Sequence, residues 1–426
     1  MQVRTVPADA LDKVGRTAQD VAMFDGTDEQ PTFLPRSGES WRSPWEMYAR
    51  LRDRDPAHHV VGGDYWVLSR FDDVMNAARD TTTFSSAEGL TFTYGERDKV
   101  GLDQVRPMVM MDPPEHTAFR RLVGRGFTPR HVAAIEPEVR RFVVERIERL
   151  RTTGTGDVVE ELFKPLPSLV VASYLGVPDA DRDRFDAWTD AIVAANSNGN
   201  PLDAGEAVGG LFTYFSELIE TRRRRPGDDT ISALVATGAA EVPMLQVLGF
   251  AFTMVTGGND TTTGLLGTAA ELLTKHPDQR ARVIADPSLV EPAIEELLRL
   301  SAPVQGLART TTRPVELHGR TIPAAKKVML LYGSANRDPR EFGPTAEAFD
   351  VGRSIKRIMT FSYGAHHCLG AAAARLQARV VLEELLARCP NFAVDSDAGE
   401  FAAGHFVRRY KSLPFVAEAS VGRVRA

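Results

Sequence analysis

The chain has 426 residues, of which 43% are hydrophobic and 25% are charged, and this composition is typical of a globular protein with a large core. Its formal net charge of −6 argues against nucleic acid as the main partner. Two cysteines are too few for a four-thiolate metal cluster, and the low cysteine content, the lack of a signal peptide and the lack of an apolar run of about 20 residues predict a soluble, cytoplasmic protein.

The first elements in chain order are short and mixed. Residues 1–40 show no regular pattern, and we predict an irregular lead-in followed by a single domain over residues 41–426. A short helix at residues 44–54 precedes a hairpin that turns at two glycines. Residues 81–107 then form a long segment of weak periodicity, which is typical of a binding loop. From residue 115 to residue 243 the pattern is mostly helical.

The longest helical stretch covers residues 244–275 and is apolar on nearly all sides. Such a helix belongs in the centre of a large core. Strand patterns are confined to a small β-rich lobe near residues 58–69, 309–332 and 392–418. The predicted fold is therefore mainly α with a small β lobe.

One cysteine stands in a glycine-rich loop, residues 361–370, directly before another predicted helix. A helix N-terminus stabilises a thiolate, and glycine lets the backbone approach a bulky partner closely. Cys368 therefore suits a single-thiolate site that faces a flat, iron-containing cofactor. A buried structural cysteine is the alternative for a cysteine considered alone.

The residues around this cysteine stand at informative offsets. Phe361, Gly364 and His366 fit the pattern Phe-x-x-Gly-x-His-x-Cys-x-Gly, which resembles the haem-binding signature of the cytochromes P450. Ser362 departs from the family, which often has Gly at this position. The resemblance implies a P450 fold with the long helix over haem b, Cys368 as the axial ligand of the iron, and Phe361 and His366 as cofactor contacts.

A cluster of poor helix formers at residues 256–263 lies within the long helix. Its polar groups need partners, so a kink or an opened backbone hydrogen bond is expected. On its own the cluster is equally consistent with a packing notch between helices. By resemblance, Asp260 and Thr261 are the catalytic acid–alcohol pair of the P450 oxygen pocket, and Gly257 leaves space beside the cofactor.

Glu296 and Arg299 share one helix face, a spacing that is usually found in weak surface pairs. By resemblance, they form a buried ion network with Arg353, and the network has a structural role. The resemblance also implies four side chains that bind the haem propionates: His116, Arg120, Arg309 and His366.

The resemblance covers nearly the whole chain, and residues 254–262 and 304–313 are similar to an actinobacterial and mycobacterial branch of soluble P450s. A basic patch would dock an acidic electron donor, a ferredoxin reduced by its ferredoxin reductase. The patch comprises Arg121, Arg125, Arg375 and Arg379. Apolar side chains would contact a lipophilic small molecule. The substrate candidates are Leu90, Phe92, Met110, Val193, Asn196, Phe252, Val255, Gly257, Val304, Leu307 and Phe406.

These residues imply a monooxygenase that inserts one oxygen atom from O2 by hydroxylation or dealkylation. Two other functions stay open on the same fold. A peroxygenase or isomerase needs no electron donor, and the acid–alcohol pair argues against it. A haem-based sensor or carrier would not be catalytic, and no sensor or DNA-binding appendage is visible.

Overall fold

The computed structural model of the chain describes residues 31–95, 106–198, 205–235 and 243–418, but not the side chains of residues 193–198. Helices dominate this part, as the sequence predicts, and proline stands in the first turn of several of them, where its missing N–H is not needed. The helices are α1 (Trp45–Arg54), α2 (Phe71–Arg79), α3 (Glu115–Val123), α4 (Pro129–Ala134), α5 (Glu136–Thr153), α6 (Pro165–Leu175), α7 (Arg182–Asn198), α8 (Gly205–Arg224), α9 (Thr230–Val235), α10 (Met244–Lys275), α11 (Pro277–Ala285), α12 (Val290–Ser301), α13 (Tyr332–Ala335), α14 (Pro339–Phe342) and α15 (Ala371–Arg388).

The strands of the described residues are short. They are β1 (Ala57–Val60), β2 (Tyr65–Leu68), β3 (Phe84–Ser85), β4 (Thr155–Asp157), β5 (Leu307–Thr311), β6 (Val315–Leu317), β7 (Arg320–Ile322), β8 (Lys327–Leu330), β9 (Ala393–Val394), β10 (Glu400–Phe401), β11 (Tyr410–Ser412) and β12 (Pro414–Val416). The largest sheet has the order β1-β2-β8-β5-β3, with β2 and β8 parallel and its other neighbours antiparallel. β4, β12 and β9 form a three-stranded sheet, and β6–β7 and β10–β11 are separate pairs.

The central helix α10 joins two parts of the hydrophobic core. Leu265 and Leu266, in its second half, pack into a cluster with α5, α12 and α15. Val247 and Phe250, in its first half, pack into a cluster with α6, α7, α8 and α9. The predicted position of this helix is confirmed, and it runs between the segments that carry the candidate site residues.

The opened backbone hydrogen bond predicted for residues 256–263 is not seen, because α10 is one continuous helix from Met244 to Lys275, and the kink given as its alternative stays a prediction. Its polar side chains bond to carbonyls one turn earlier instead. Asn259 Nδ2 donates to the Val255 carbonyl at 2.6 Å, and Thr261 Oγ1 donates to the Gly257 carbonyl at 2.8 Å. These bonds satisfy the Asn259 Nδ2 and Thr261 Oγ1 donors without interrupting the helix.

The long loop predicted at residues 81–107 also contains a strand. β3 pairs with β5 in antiparallel register, and its first residue, Phe84, faces Thr311. Within the strand-rich region predicted near residues 309–332, β5 ends at Thr311 and the separate β6 begins at Val315. The short helices α4 and α9 were not predicted, since six residues carry too little periodicity to be distinguished from a turn. Among the described residues, no helix combines the length and apolar character needed to cross a membrane.

Candidate active site

The cysteine loop is closed by its own backbone. The Cys368 N–H donates to the Phe361 carbonyl at 2.8 Å, directly before α15. Gly364 has φ +70°, and a Cβ there would lie 3.1 Å from the Cα of Arg79. Ser362 has φ +56°, a left-handed conformation that favours glycine, which gives a physical reason for glycine at this position in the family pattern. The local geometry therefore requires small residues.

Cys368 is an exposed residue of the polypeptide, although its thiol is desolvated by the loop, whereas the other cysteine, Cys389, is buried in the core. Burial by the surrounding loop raises the pKa of the Cys368 thiol, and the Gly370 N–H and the guanidinium groups of Arg120 and Arg375 oppose this shift. Within the described part of the chain, no three His, Cys, Asp or Glu side chains are grouped as metal ligands. Metal chemistry at Cys368 would therefore use fewer than three of these side chains.

Four basic side chains converge beside this loop. The rings of His116 and His366 lie 4.2 Å apart, centroid to centroid, and Arg120 donates to the His367 carbonyl at 2.5 Å. Burial, with the neighbouring charges of Arg309, His116 and Arg120, lowers the pKa of His366 to about 3. The imidazole of His366 is therefore neutral near pH 7.

This basic cluster has unused hydrogen-bonding capacity. Both ring nitrogens of His116 are buried without a partner in the described part of the chain, and Arg309 is 2% exposed. The hydrogen bond found for the Arg309 guanidinium goes to the carbonyl of the preceding residue, Ala308. Within the residues that the structure describes, none of the four basic residues forms an ion pair with a carboxylate. Buried donors of this kind are stabilised by an anionic ligand.

The three predicted members of the ion network are in contact. Arg299 donates to both carboxylate oxygens of Glu296, at 2.7 and 2.8 Å, and Arg353 Nε donates to the same carboxylate at 3.1 Å. Glu296 and Arg299 have no exposed surface. Arg299 also donates to the carbonyls of Asn336 and Ala346, so the network joins α12 to the loop region before the cysteine.

The acid–alcohol pair lies in the middle of α10. Gly257 is exposed there although its helix is central, and a Cβ added to it would meet no atom within 4 Å. Open space therefore adjoins the helix one turn before Thr261. The Asp260 carboxylate pairs with Arg409 Nε at 2.6 Å, and burial raises the pKa of Asp260 to about 6 despite this cation.

Comparison with known proteins identifies the family. The sequence profile described as Cytochrome P450 matches residues 57–399. The chain belongs to the cytochrome P450 family. Cytochrome P450 130 of Mycobacterium tuberculosis is 58% identical over 393 residues, which cover 90% of this chain and 97% of that relative. The vitamin D(3) 25-hydroxylase of Pseudonocardia autotrophica is 35% identical, with 87% and 91% covered. The crystal structure of CYP109E1 from Bacillus megaterium in complex with testosterone matches with a TM-score of 0.79 and 30% identity, covering 88% of this chain and 100% of that chain.

This P450 is therefore a monooxygenase, and its cofactor is haem b. The described residues fit that cofactor in three respects. An exposed cysteine precedes α15, open space adjoins α10, and α10 packs against α15. The ring N–H of His116, which has no partner among the described residues, and the buried guanidinium of Arg309 suit the two carboxylates of a haem.

The substrate candidates differ in exposure. Phe92 stacks on Tyr65 at 4.9 Å and lies 5.4 Å from Phe406, so the start of the long loop is fixed against the β lobe and the C-terminal turn. Leu90, Phe252, Val304 and Leu307 are half-buried and Met110 is buried. Val255 is fully buried in the core cluster, and its surroundings are those of a core residue. Val193 and Asn196 lie in the backbone of α7, with side chains outside the described residues.

Two of the four arginines in the predicted basic patch are paired with glutamates. Arg375 pairs with Glu295 at 2.5 Å and Arg379 pairs with Glu136 at 2.6 Å. Arg121 is exposed, as is Arg125, and neither forms an ion pair within the described residues. The two pairs line a groove of about 700 Å³ between α4, α12 and α15. Positive charge on this face is therefore concentrated at the first two arginines.

Two residues near the candidate site were not predicted. Ser86 Oγ lies 3.2 Å from His366 Nε2, and its backbone N–H donates to Asp112. Arg409 pairs with Asp260 across 149 positions of sequence. Neither residue stands in a motif, and only the folded chain brings each to its partner.

Proposed function

We propose that this P450 receives electrons from a ferredoxin-type donor and inserts one oxygen atom from O2 into a lipophilic small molecule, by hydroxylation or dealkylation. Bound haem b supplies oxygen activation and substrate oxidation. Cys368 would hold the iron, and the four basic side chains described above would hold the propionates. Phe361 would pack beside the cofactor, because its backbone closes the cysteine loop.

The observation that carries this proposal is the acid–alcohol pair beside open space in the middle of α10. Asp260 has a pKa of about 6, so its carboxyl can take up and release a proton near neutral pH. Thr261 offers a hydroxyl one turn after the exposed Gly257. A reaction that consumes protons from water, as donor-driven oxygen cleavage does, uses such a pair. A peroxygenase does not require it.

The substrate class follows from the apolar side chains around the long loop and from relatives. Leu90, Phe92 and Phe406 present hydrocarbon surface that is half-buried. One relative is described as a vitamin D(3) 25-hydroxylase, and one structural neighbour was solved with testosterone. Both molecules are large, uncharged and lipophilic. We infer a lipophilic substrate of this general kind for the present enzyme.

Reconstitution of the holoenzyme with a ferredoxin, its reductase and NAD(P)H tests this function. Lipophilic compounds that displace the iron-bound water in absorption spectra would be the substrates assayed. We expect oxygenated product that depends on all three components. Equal product formation with hydrogen peroxide alone would establish a peroxygenase instead. Tight ligand binding without turnover under any donor would favour a sensor or carrier.

Removing the Thr261 hydroxyl should uncouple electron consumption from product formation. In Thr261→Val the shape is kept and the hydroxyl is lost, so proton delivery is impaired and we expect product formation to fall about 10- to 100-fold. Donor consumption should persist, with hydrogen peroxide as the product. Thr256→Val is the matched control, because Thr256 makes the same bond to a carbonyl one turn back, at 3.0 Å. Unchanged coupling in Thr261→Val would exclude this role.

Reversing one charge on the docking face should slow reduction by the donor. Arg125→Glu replaces an exposed, unpaired cation, and we expect the rate of first-electron transfer at low salt to fall about 10-fold, with substrate affinity unchanged. Stopped-flow reduction at several ionic strengths measures this. Arg54→Glu, at an exposed site on α1 beside the β lobe, controls for net charge. Equal slowing in both variants would assign the effect to net charge and not to a docking face.

A further inference from the structure

Residues 408 and 409, in the C-terminal segment, lie against one face of the central helix α10. Gly264 is one turn after Asp260 on the same face of α10. A Cβ at Gly264 would lie 2.6 Å from the Arg408 carbonyl oxygen and 3.3 Å from the Arg409 Cβ. The missing side chain at this position therefore lets residues 408 and 409 approach the helix. Glycine costs helix stability, and the close approach is its evident compensation.

This approach brings Arg409 to the carboxylate of Asp260. Arg409 Nε lies 2.6 Å from Asp260 Oδ1, and the two side chains are 11% and 16% exposed. The backbone on either side is fixed, since the Arg408 N–H donates to the Pro303 carbonyl and the Ala402 N–H donates to the Arg409 carbonyl. The cation is thus supplied by an anchored strand end and not by a free surface side chain.

Among the described residues, two other charged side chains act on the Asp260 carboxylate from elements packed on α10. Lys164 follows a π-helical turn, Val159–Phe163, at the start of α6, and its charge lowers the pKa of Asp260. Asp190, on α7, raises it. Lys164 Nζ is 3.1 Å from Asp190 Oδ2, so these two charges largely offset one another. Arg409 is left as the dominant charge that acts on the carboxylate.

Neither member of the acid–alcohol pair is free in this arrangement. The Thr261 hydroxyl donates to the Gly257 carbonyl, and the Asp260 carboxylate is held by Arg409. Proton transfer from Asp260 toward Thr261 therefore needs the carboxyl group to leave the guanidinium. Protonation of the carboxylate removes the charge that the guanidinium attracts, and so permits this movement.

We propose that Arg409 is the positioning residue of Asp260, which holds the carboxylate against the C-terminal segment until the carboxylate is protonated. A proton from solvent forms an O–H bond on Asp260, and the ion pair is released. The O–H bond breaks when the proton passes toward Thr261, and the carboxylate returns to Arg409. This role rests on the proposed proton function of Asp260, and Gly264 makes it sterically possible.

Titration of Asp260 in the holoenzyme tests the positioning role directly. Infrared spectra of protein labelled with ¹³C-carboxyl aspartate, compared with Asp260→Asn, identify the carboxyl band of this residue. We expect Arg409→Gln to raise the midpoint of that band by at least about one pH unit, because the cation that lowers the pKa is gone. Lys411→Gln, which removes an exposed cation two residues later on β11, should leave the midpoint unchanged. An unchanged midpoint in Arg409→Gln overturns the proposal.

A measurement on the unmodified enzyme covers the case in which Arg409→Gln does not fold. Crystal structures of the holoenzyme at pH 8 and pH 5 should show the contact between Arg409 Nε and Asp260 at the higher pH and its loss at the lower pH. Persistence of the contact at both pH values overturns the proposal. Failure of the proposed monooxygenase function would appear separately, as the absence of donor-dependent oxygenated product in the reconstituted unmodified enzyme, which the titration and the crystal structures do not measure.

Discussion

Replacement of Cys368 by serine is expected to abolish monooxygenase turnover and to leave the polypeptide folded. A thiolate ligand donates electron density to haem iron and favours cleavage of the O–O bond, and a serine hydroxyl does not. We expect the loss to exceed about 100-fold, which is more than removal of an outer-shell partner causes. The reduced, carbon-monoxide-bound spectrum should lose its thiolate-type Soret band. Folding should persist, because Cys368 is an exposed residue and does not belong to the core cluster.

The second cysteine provides a control for this experiment. Cys389 lies at the end of α15 with no exposed surface, and it packs in the core cluster. Cys389→Ala should lower thermal stability modestly and leave the thiolate-type spectrum intact. A Cys368→Ser variant that kept the thiolate-type band would exclude Cys368 as the ligand. Loss of the band in Cys389→Ala, with the band kept in Cys368→Ser, would assign Cys389 as the ligand.

The sequence was sufficient for the features that depend on local pattern. The central helix was predicted with the bounds that the structure shows, because thirty-two residues of apolar periodicity leave no competing element. The turn that presents Cys368 depends on glycine at positive φ, and Gly364 supplies it within the motif itself. Glu296 and Arg299 contact each other because their spacing places them on one helix face.

Features that depend on long-range packing could not be predicted from local sequence patterns. The ion pair between Asp260 and Arg409 requires the C-terminal segment to cross α10, and no local pattern encodes that crossing. Arg375 and Arg379 were predicted to add positive charge, but each faces a glutamate of another helix. Val255 is apolar, as a residue that lines a substrate pocket would be, but its side chain packs in the core cluster. In each case the neighbour that decides the role is distant in sequence.

Replacement of Glu296 by alanine is expected to have the second largest effect, and it acts on stability. The Glu296 carboxylate is fully buried and accepts from Arg299, Arg353 and the Asp350 N–H. Without it two guanidinium groups lose their counter-charge, and Arg299 has no exposed surface. Breaking a buried pair in this way costs about 3–5 kcal/mol. We expect protein that is recovered without haem, since the loops before Cys368 depend on these bonds.

A matched variant of the neighbouring Glu295 separates the effect of losing a buried carboxylate from the effect of losing a negative charge. Glu295 is on the same helix and pairs with Arg375, but its side chain is 30% exposed. Glu295→Ala should cost no more than about 1 kcal/mol, because exposed pairs are solvated and screened. The haem-to-protein absorbance ratio after purification and the thermal unfolding midpoint would be compared for both variants. Normal haem content with an unchanged midpoint in Glu296→Ala would show that the network is dispensable. A selective loss in Glu296→Ala means that the buried carboxylate holds the cysteine side of the fold in place, which the partly exposed Glu295–Arg375 pair does not do.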